Sequence, residues 1–234
     1  MGVMGVANAI EAIVGHTCYG EPEFLSILNN ILKTLKNECY RTSALLAKSK
    51  GSFPLYNRDL YMRGKFIQTL DDDVKELIYK YGIRNSHLTS IAPTGTISLT
   101  ANNVSSGIEP VVAYEAERLI QEFDAPKRVT VRDFGYDNFG IKGKVIKDVT
   151  VKQHIDTLLV AQKHIDSGVS KTCNVPKNIS WENFKLMYMD AWKGGAKGCT
   201  TYRFGCKRGG ILTLQDDDIS ACYFDPETGR KECN

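Results

Sequence analysis

The sequence lacks the features that mark several large classes of protein. No apolar run approaches the roughly 18 residues that a membrane-spanning helix needs, so a membrane protein is not expected. The apolar stretch near the N-terminus has no basic segment before it, which argues against a secretory signal peptide. The net charge is only +3 over 234 residues, too little for the concentrated basic face of a nucleic-acid-binding protein. The composition, 42% apolar and 24% charged, is instead typical of a globular protein.

Cysteines are present in an odd number, seven, and they form no regular framework of pairs. Together with the missing signal peptide, this predicts free thiols in a reducing cytoplasm. Three are expected to act as small apolar core side chains: Cys18, Cys39 and Cys173. The other four fall near the C-terminal end: Cys199, Cys206, Cys222 and Cys233. Their spacing differs from the C-x₂₋₄-C pairs of structural zinc sites, so a zinc site has little support and no metal ligand is predicted.

The first half of the chain carries three helical patterns. The opening "GVMGVANAIEAIV" predicts a buried helix, and a chain that begins inside a core is expected to belong to something larger. Apolar residues recur at helical spacing from Pro22 to about Lys48, and Pro22 suits the first turn of a helix. Residues 71–81 are predicted to form a third helix, because three acidic residues open it and Gly82 follows it.

The second half alternates strand-like and helical segments. Thr150 and Gln153 have the spacing of a capping box at the start of a helix, and Ser180 is expected to cap another. The predicted strands are "HLTSIAP", "KRVTVRDF" and "GCTTYR", the last of them buried. This alternation predicts an α/β fold, with residues 1–212 as the main domain. Residues 213–234 are expected to be a polar extension with a hairpin at 225–229.

The most unusual stretch is "NSHLTSIAPTGTISLTANNVSSGIEP", residues 85–110, which is rich in Ser, Thr and Asn and lacks an apolar stripe. Within it, Pro93 would direct the chain out of a strand, and Gly95 would adopt a backbone conformation that other residues avoid. Thr94, Thr96 and Ser98 would then place hydroxyls beside the free N–H groups of a new helix. Such donors form a cradle for a phosphate group. Neither the Walker motif nor the dinucleotide motif is present, and a capped turn without a ligand explains the same residues.

Four motifs, in order along the chain, resemble the ribonucleotide reductase catalytic chain, most of all the adenosylcobalamin-dependent class II enzymes. They are "GVMGVANAI", "GIRNSHLTSIAPTGTISLTANNVSSGIEP", "HIDSGVSKTCNVP" and "AWKGGAKGCTTYR". The resemblance implies the C-terminal, second half of a ten-stranded α/β barrel, and a reaction that converts ribonucleotides to deoxyribonucleotides by radical chemistry. It also implies that seven residues hold the substrate phosphate: Ala92, Pro93, Thr94, Gly95, Thr96, Ile97 and Ser98. Glu109 is expected to be a buried hydrogen-bonding group rather than an acid catalyst.

The motifs that this family uses for the radical step are missing. In the family, the cysteine that becomes a thiyl radical and those that supply electrons lie in patterns such as "NPCGE" and "CNLGS", and neither occurs here. The resemblance therefore implies a partner, an N-terminal reductase chain that carries the radical cysteine. It further implies adenosylcobalamin, a ribonucleotide substrate and a dithiol reductant such as thioredoxin. Apart from a candidate redox pair of cysteines, no catalytic residue is predicted on this chain, which is expected to be inactive alone.

Two alternatives stay open beside the class II interpretation. Thr200 and Thr201 occupy the positions where class I enzymes carry a tyrosine pair, which favours class II. Tyr202 is adjacent, so an alignment shifted by one residue would instead support a class I large-chain fragment. A non-catalytic remnant that binds nucleotide phosphates is the other alternative.

Cysteines and histidines receive weaker assignments. The family passes reducing equivalents through a mobile C-terminal cysteine pair, and Cys222 and Cys233 are the candidates for it, the alternative being two surface thiols. His154 and His164 are expected at the surface or as helix caps. His87 is expected to steady the 85–110 stretch by hydrogen bonding rather than to act as a catalyst.

Overall fold

Eight α-helices and six short strands are found in the computed structural model, which describes residues 1–121, 126–205, 223–224 and 231–232. The helices are α1 (Val6–Val14), α2 (Pro22–Lys50), α3 (Arg58–Met62), α4 (Asp72–Tyr81), α5 (Ile97–Thr100), α6 (Phe134–Phe139), α7 (Val151–Gln162) and α8 (Trp181–Lys193). The strands are β1 (Glu115–Gln121), β2 (Pro126–Arg132), β3 (Thr172–Val175), β4 (Thr200–Arg203), β5 (Tyr223–Phe224) and β6 (Lys231–Glu232). The prediction of a mixed α/β chain is confirmed at this level.

Helix α2 links the two apolar cores of the described chain. Near its start, Phe24, Leu28 and Leu32 are fully buried against α1, α7 and β3. Near its end, Tyr40 and Ala44 lie in a second cluster with residues of α4 and of the turn before it. Each such buried Phe or Leu side chain stabilises the fold by about 1.5–3 kcal/mol relative to an exposed one. One long amphipathic helix therefore fixes the orientation of both clusters.

The helix-capping predictions are confirmed by the hydrogen bonds at the helix starts. The Gln153 amide donates to the Thr150 hydroxyl at 3.3 Å, and the Thr150 amide donates to the Gln153 side chain at 3.0 Å. The Asn183 amide likewise donates to Ser180 Oγ at 3.2 Å, which caps α8. These bonds satisfy amides that the first turn of a helix would otherwise leave unpaired.

Strands β3 and β4 form a parallel pair joined by α8, with Cys173 opposite Thr201. The "GCTTYR" strand thus exists, but its residues are half-buried or exposed, so the prediction of a buried strand is wrong. The "HLTSIAP" segment contributes only one parallel bridge, between Ile91 and Val169. The described strands form three separate two-stranded sheets and no closed sheet, so the predicted ten-stranded half barrel is not confirmed.

The remaining two sheets are antiparallel. Strand β2 covers most of the predicted "KRVTVRDF" strand and pairs along its whole length with β1. In the C-terminal extension, Tyr223 pairs with Glu232 and Phe224 with Lys231. The residues between these two strands, which include the predicted hairpin at 225–229, lie outside the described residues. None of the helices in the described ranges is both long and apolar enough to cross a membrane.

Candidate functional site

The 92–98 loop presents unpaired backbone donors at the surface. It leaves the bridge at Ile91 and enters α5, a helix of only four residues. The N–H groups of Gly95, Thr96 and Ile97 donate no hydrogen bond to any residue that the structure describes. Ala92, Pro93, Thr96 and Ile97 are exposed. Three consecutive free donors on an accessible turn are suited to an anion, because each N–H can point at one oxygen.

The left-handed residue of this loop is Thr94, with a φ of 51°, and Gly95 is not among the residues with positive φ. The expectation for Gly95 is therefore wrong. Thr94 holds this unusual conformation because its Oγ1 accepts the Gly107 amide at 2.7 Å. Ser98 is buried, and its hydroxyl lies 3.3 Å from both the Gly95 carbonyl and the Ser106 hydroxyl. Thr94 and Ser98 thus shape the loop, whereas the Thr96 hydroxyl faces solvent.

Residues 105–109, called the support segment below, dock this loop onto α1. Gly5 and Val6 donate their amides to the carbonyl oxygens of Ser105 and Gly107, at 2.7 and 3.2 Å. Asn8 exchanges two hydrogen bonds with Ser105, the shorter of them 2.6 Å long. Gly107 has a φ of 53°, and a Cβ there would lie 3.0 Å from the Ala92 carbonyl oxygen. The close approach of the two backbones therefore requires glycine.

A buried ion pair closes the other side of the support segment. Lys171 Nζ donates to Glu109 Oε2 at 2.6 Å, and Glu109 Oε1 accepts the Thr172 amide at 2.6 Å. The Lys171 side chain has no exposed surface and that of Glu109 only 16%. The geometry agrees with the expectation that Glu109 is a buried hydrogen-bonding group. The sequence analysis did not identify Lys171 as a functional residue. The one feature that could have indicated its burial is its position among small and apolar residues, directly before a buried strand.

The histidines lie elsewhere than expected. His154 is completely buried, with Nδ1 2.8 Å from Lys171 Nζ, so its assignment to the surface is wrong. Burial, and then the charge of Lys171, lowers the pKa of His154 to about 2. His164 is also mostly buried, and its Nε2 lies 2.8 Å from Asn29 Oδ1. His87 is exposed, and among the described residues its hydrogen-bond partner is Ser86, at 3.2 Å, not a residue of the 92–98 loop.

A second group of acids is buried beside α1. Glu11 is 2% exposed, and burial raises its pKa to about 7, with the nearby charge of Asp133 acting in the same direction. Asp133 accepts two hydrogen bonds from Asn8 at 3.0 and 3.1 Å, and it caps α6 through the Tyr136 amide. These groups hold α1 against α6 and reach the support segment through Asn8.

Two cysteines meet in the small parallel sheet. Cys173 is fully buried in the core, as predicted, and Cys18 is as well, whereas Cys39 is half-buried. The sulfur of Cys199 lies 3.7 Å from that of Cys173, a proximity that the sequence alone did not indicate. The hydrogen bond between the two thiols lowers the pKa of Cys199.

The remaining cysteines cannot be placed. Cys206, Cys222 and Cys233 lie outside the described residues. The candidate redox pair of Cys222 and Cys233 therefore stays a prediction, and the described residues do not test the zinc site that the sequence supports only weakly. In the described ranges, no cluster of three or more His, Cys, Asp or Glu side chains could hold a metal ion.

A groove of about 780 Å³ lies between α7 and α8. Its walls combine apolar side chains such as Leu159 and Met187 with polar ones such as Asp156 and Asn183. No side chain in this lining points to adenosylcobalamin, so the groove does not identify a site for that cofactor. We assign no described residue to that cofactor.

Comparison with known proteins identifies the family to which this chain belongs. The family model described as the ribonucleotide reductase barrel domain matches residues 1–138 and 136–202. A vitamin B12-dependent ribonucleoside-diphosphate reductase of Mycobacterium tuberculosis is 26% identical over 91% of this chain and 32% of the relative. One of Thermoplasma acidophilum is 28% identical over 91% of this chain and 29% of the relative. A vitamin B12-dependent ribonucleotide reductase of Rhodopirellula baltica is 25% identical over 80% of this chain and 24% of the relative.

These relatives are much longer than the chain, which spans a third of their length or less. The matched family region contains α1, the 92–98 loop, the support segment and the strand pair β3–β4, all of the local geometry described above. On this match, the chain belongs to the ribonucleotide reductase family, through its barrel domain.

Proposed function

We propose that this chain supplies the substrate-phosphate loop of a class II ribonucleotide reductase, an enzyme that reduces ribonucleotides to deoxyribonucleotides. One observation carries this proposal: at the turn of Gly95, Thr96 and Ile97, three consecutive amides have no hydrogen-bond partner among the described residues. The charged oxygens of a phosphate accept such bonds strongly, and these are roughly twice as strong as bonds between neutral groups. The full set of proposed contacts is Ala92, Pro93, Thr94, Gly95, Thr96, Ile97 and Ser98.

The proposal assigns the chain to the second half of a ten-stranded α/β barrel, completed by a partner polypeptide that carries the radical cysteine. The absence of "NPCGE" and "CNLGS" patterns from this sequence supports that division. Adenosylcobalamin would supply the radical in the assembled enzyme, in line with the B12-dependent names of the relatives. A dithiol such as thioredoxin would supply electrons, by way of Cys222 and Cys233, in the cytoplasm.

The contribution of this chain itself is to orient the nucleotide substrate. Phosphate oxygens bound at the turn would fix one end of the nucleotide, so that its ribose is presented to the partner's radical cysteine. Holding two reacting groups in register in this way removes translational and rotational freedom before the chemical step. The Thr94–Gly107 bond keeps the free amides in place without a ligand, so little reorganisation is needed on binding.

Reduction of ribonucleotides tests the proposal as a whole. The chain alone, and the chain mixed with a polypeptide bearing the missing motifs, would be assayed with adenosylcobalamin and a dithiol. We expect turnover only in the mixture. Turnover that requires a metal-containing small subunit instead of cobalamin would indicate a class I fragment. Two folded and associated chains without turnover under either condition would leave a non-catalytic phosphate-binding module.

A single substitution tests the loop within that assay. Thr96→Glu places a carboxylate where the phosphate is proposed to bind, and Thr96 has no described side-chain partner to lose. We expect the KM for ribonucleotides to rise about tenfold or more through charge repulsion. Thr34→Glu is the matched control, because Thr34 is an exposed threonine on α2, also without a described side-chain partner. Equal KM values for the two variants would refute the assignment of the loop.

A further inference from the structure

Lys171 is the most deeply buried charged residue in the part of the chain that the structure describes, with 1% of its surface exposed. Its ammonium group has three donors, and each has a partner. They are Glu109 Oε2 at 2.6 Å, the Thr172 carbonyl at 2.6 Å and His154 Nδ1 at 2.8 Å. No donor is left for a ligand, so Lys171 cannot contact a phosphate itself. Any role that it has in binding must act through its partners.

Glu109 is the partner that carries the opposite charge. His154 is neutral, since burial and the adjacent ammonium lower its pKa to about 2, so it accepts a hydrogen bond without balancing the charge. Tyr19 adds its ring face, 5.8 Å from Lys171 Nζ, and donates its hydroxyl to the Ile108 carbonyl at 2.7 Å. Loss of Lys171 would leave Glu109 as a largely buried carboxylate without a counter-ion, which is strongly unfavourable.

Only a few bonds separate this ion pair from the 92–98 loop. The Glu109 amide donates to the Ser106 carbonyl at 2.7 Å, which closes a tight turn. Within that turn, the Gly107 amide donates to Thr94 Oγ1, and the Ser106 hydroxyl lies 3.3 Å from that of Ser98. Only two residues lie between Ser106 and Glu109. A shift of the Glu109 carboxylate is therefore expected to displace the contacts that Gly107 and Ser106 make with the 92–98 loop. A backbone segment this short cannot absorb such a shift, because its length is fixed by covalent geometry.

We propose that Lys171 and Glu109 are positioning residues for the 92–98 loop. Their ion pair anchors the support segment to β3, and the Gly107 amide in that segment holds Thr94 in its left-handed conformation. This conformation directs the free amides of residues 95–97 to the surface. The inference rests on the proposed function only for the identity of the ligand; the mechanical coupling exists with or without one.

Three variants and one control test the coupling. Lys171→Met keeps the length of the side chain and removes the charge. Glu109→Gln keeps an acceptor for the Thr172 amide, and the double variant removes both charges. Lys197→Met is the matched control, because Lys197 is an exposed lysine whose ammonium donates to the Asp166 carbonyl, away from the support segment.

The first measurement is amide hydrogen exchange by NMR in the full chain without ligand. We expect Lys171→Met to speed exchange at Gly107 by about tenfold or more, while amides of α2 and α7 keep their protection. Glu109→Gln should act in the same direction, and the double variant should be no worse than Lys171→Met, because the two residues act as a unit. Exchange at Gly107 within about twofold of wild type in both single variants, with α2 and α7 protected, would overturn the proposal. If Lys171→Met fails to fold, the exchange rate of the Gly107 amide in the milder variant Glu109→Gln tests the proposal.

The second measurement separates this inference from the proposed function. Inorganic pyrophosphate is titrated into wild type, and shifts of the Gly95, Thr96 and Ile97 amides are followed; no shift would refute the phosphate site while leaving the exchange result intact. Where wild type binds, calorimetry on the variants gives the Kd and the stoichiometry. A positioning role raises the Kd at unchanged stoichiometry while α2 and α7 keep their exchange protection, whereas partial unfolding raises the Kd together with faster exchange in α2 and α7. The latter outcome would overturn the positioning role, and Lys197→Met should change neither.

Discussion

Gly107 is the position at which one added methyl group tests the packing of the loop most directly. Its φ of 53° lies in the left-handed region, and an added Cβ would lie 3.0 Å from the Ala92 carbonyl oxygen and 3.3 Å from Ile91 Cγ2. The left-handed backbone alone costs an alanine about 1–2 kcal/mol. The contact with Ala92 is with backbone, so no side-chain rotation relieves it. We therefore expect Gly107→Ala to lower the free energy of unfolding by about 2 kcal/mol or more.

Urea denaturation measures this change as a lower midpoint at constant slope. Gly168→Ala is the matched control. The Gly168 carbonyl accepts the Ile91 amide, so this glycine lies beside the same bridge, but its φ is not positive and no atom lies within 4 Å of an added Cβ. There we expect no loss, or a gain of about 0.4–1 kcal/mol, since alanine restricts the unfolded chain. Equal midpoints for the two variants would refute the close packing of Gly107 on Ala92. Pyrophosphate binding should weaken in Gly107→Ala alone.

Three further predictions concern titratable groups. Burial raises the pKa of Asp166, but hydrogen bonds from Tyr40 and two backbone amides outweigh it and hold that pKa below its usual range. Stability should therefore fall as the pH drops below about 4, and Asp166→Asn should remove this slope in thermal melts. The raised pKa of Glu11 acts oppositely: its contribution is present below about pH 4.5 and lost towards pH 7, so Glu11→Gln should flatten stability in that window. Iodoacetamide should alkylate Cys199 before the buried Cys173, as read by peptide mass spectrometry; equal rates would contradict the lowered pKa of Cys199.

Signals contained within a few residues predicted the longer helices accurately, whereas the short helices α3 and α6 were not predicted. The capping box of Thr150 and Gln153 spans three positions, and both of its bonds form. Helix α2 begins at the predicted Pro22 and runs only two residues past Lys48, where Gly51 ends it with a φ of 74°. Such features depend on local backbone geometry, so the identities of neighbouring residues are enough to predict them.

Features set by distant contacts could not be predicted. His154 was assigned to the surface because its own helix gives no sign of Lys171, which comes 17 residues later. Thr94 takes the left-handed conformation in place of Gly95 because its hydroxyl accepts an amide 13 residues further on. The approach of the Cys199 sulfur to that of Cys173 likewise requires the parallel pairing of two strands. The exposure of the loop donors agrees with the sequence-based reasoning, but the residue that shapes the loop is a different one.

The docking of α1 onto the support segment also sets the timing of folding during synthesis. Asn8 and Ser105 are separated by 97 residues. At ribosomal speeds of about 5–20 residues per second, roughly 5–20 seconds pass between the synthesis of one and of the other. Throughout that interval α1 lacks the segment to which its first turn is hydrogen-bonded in the folded chain. Because Lys171 anchors the support segment, the loop can take its final shape only once the ribosome has also moved beyond residue 171, so the speed of translation sets the earliest moment at which it forms.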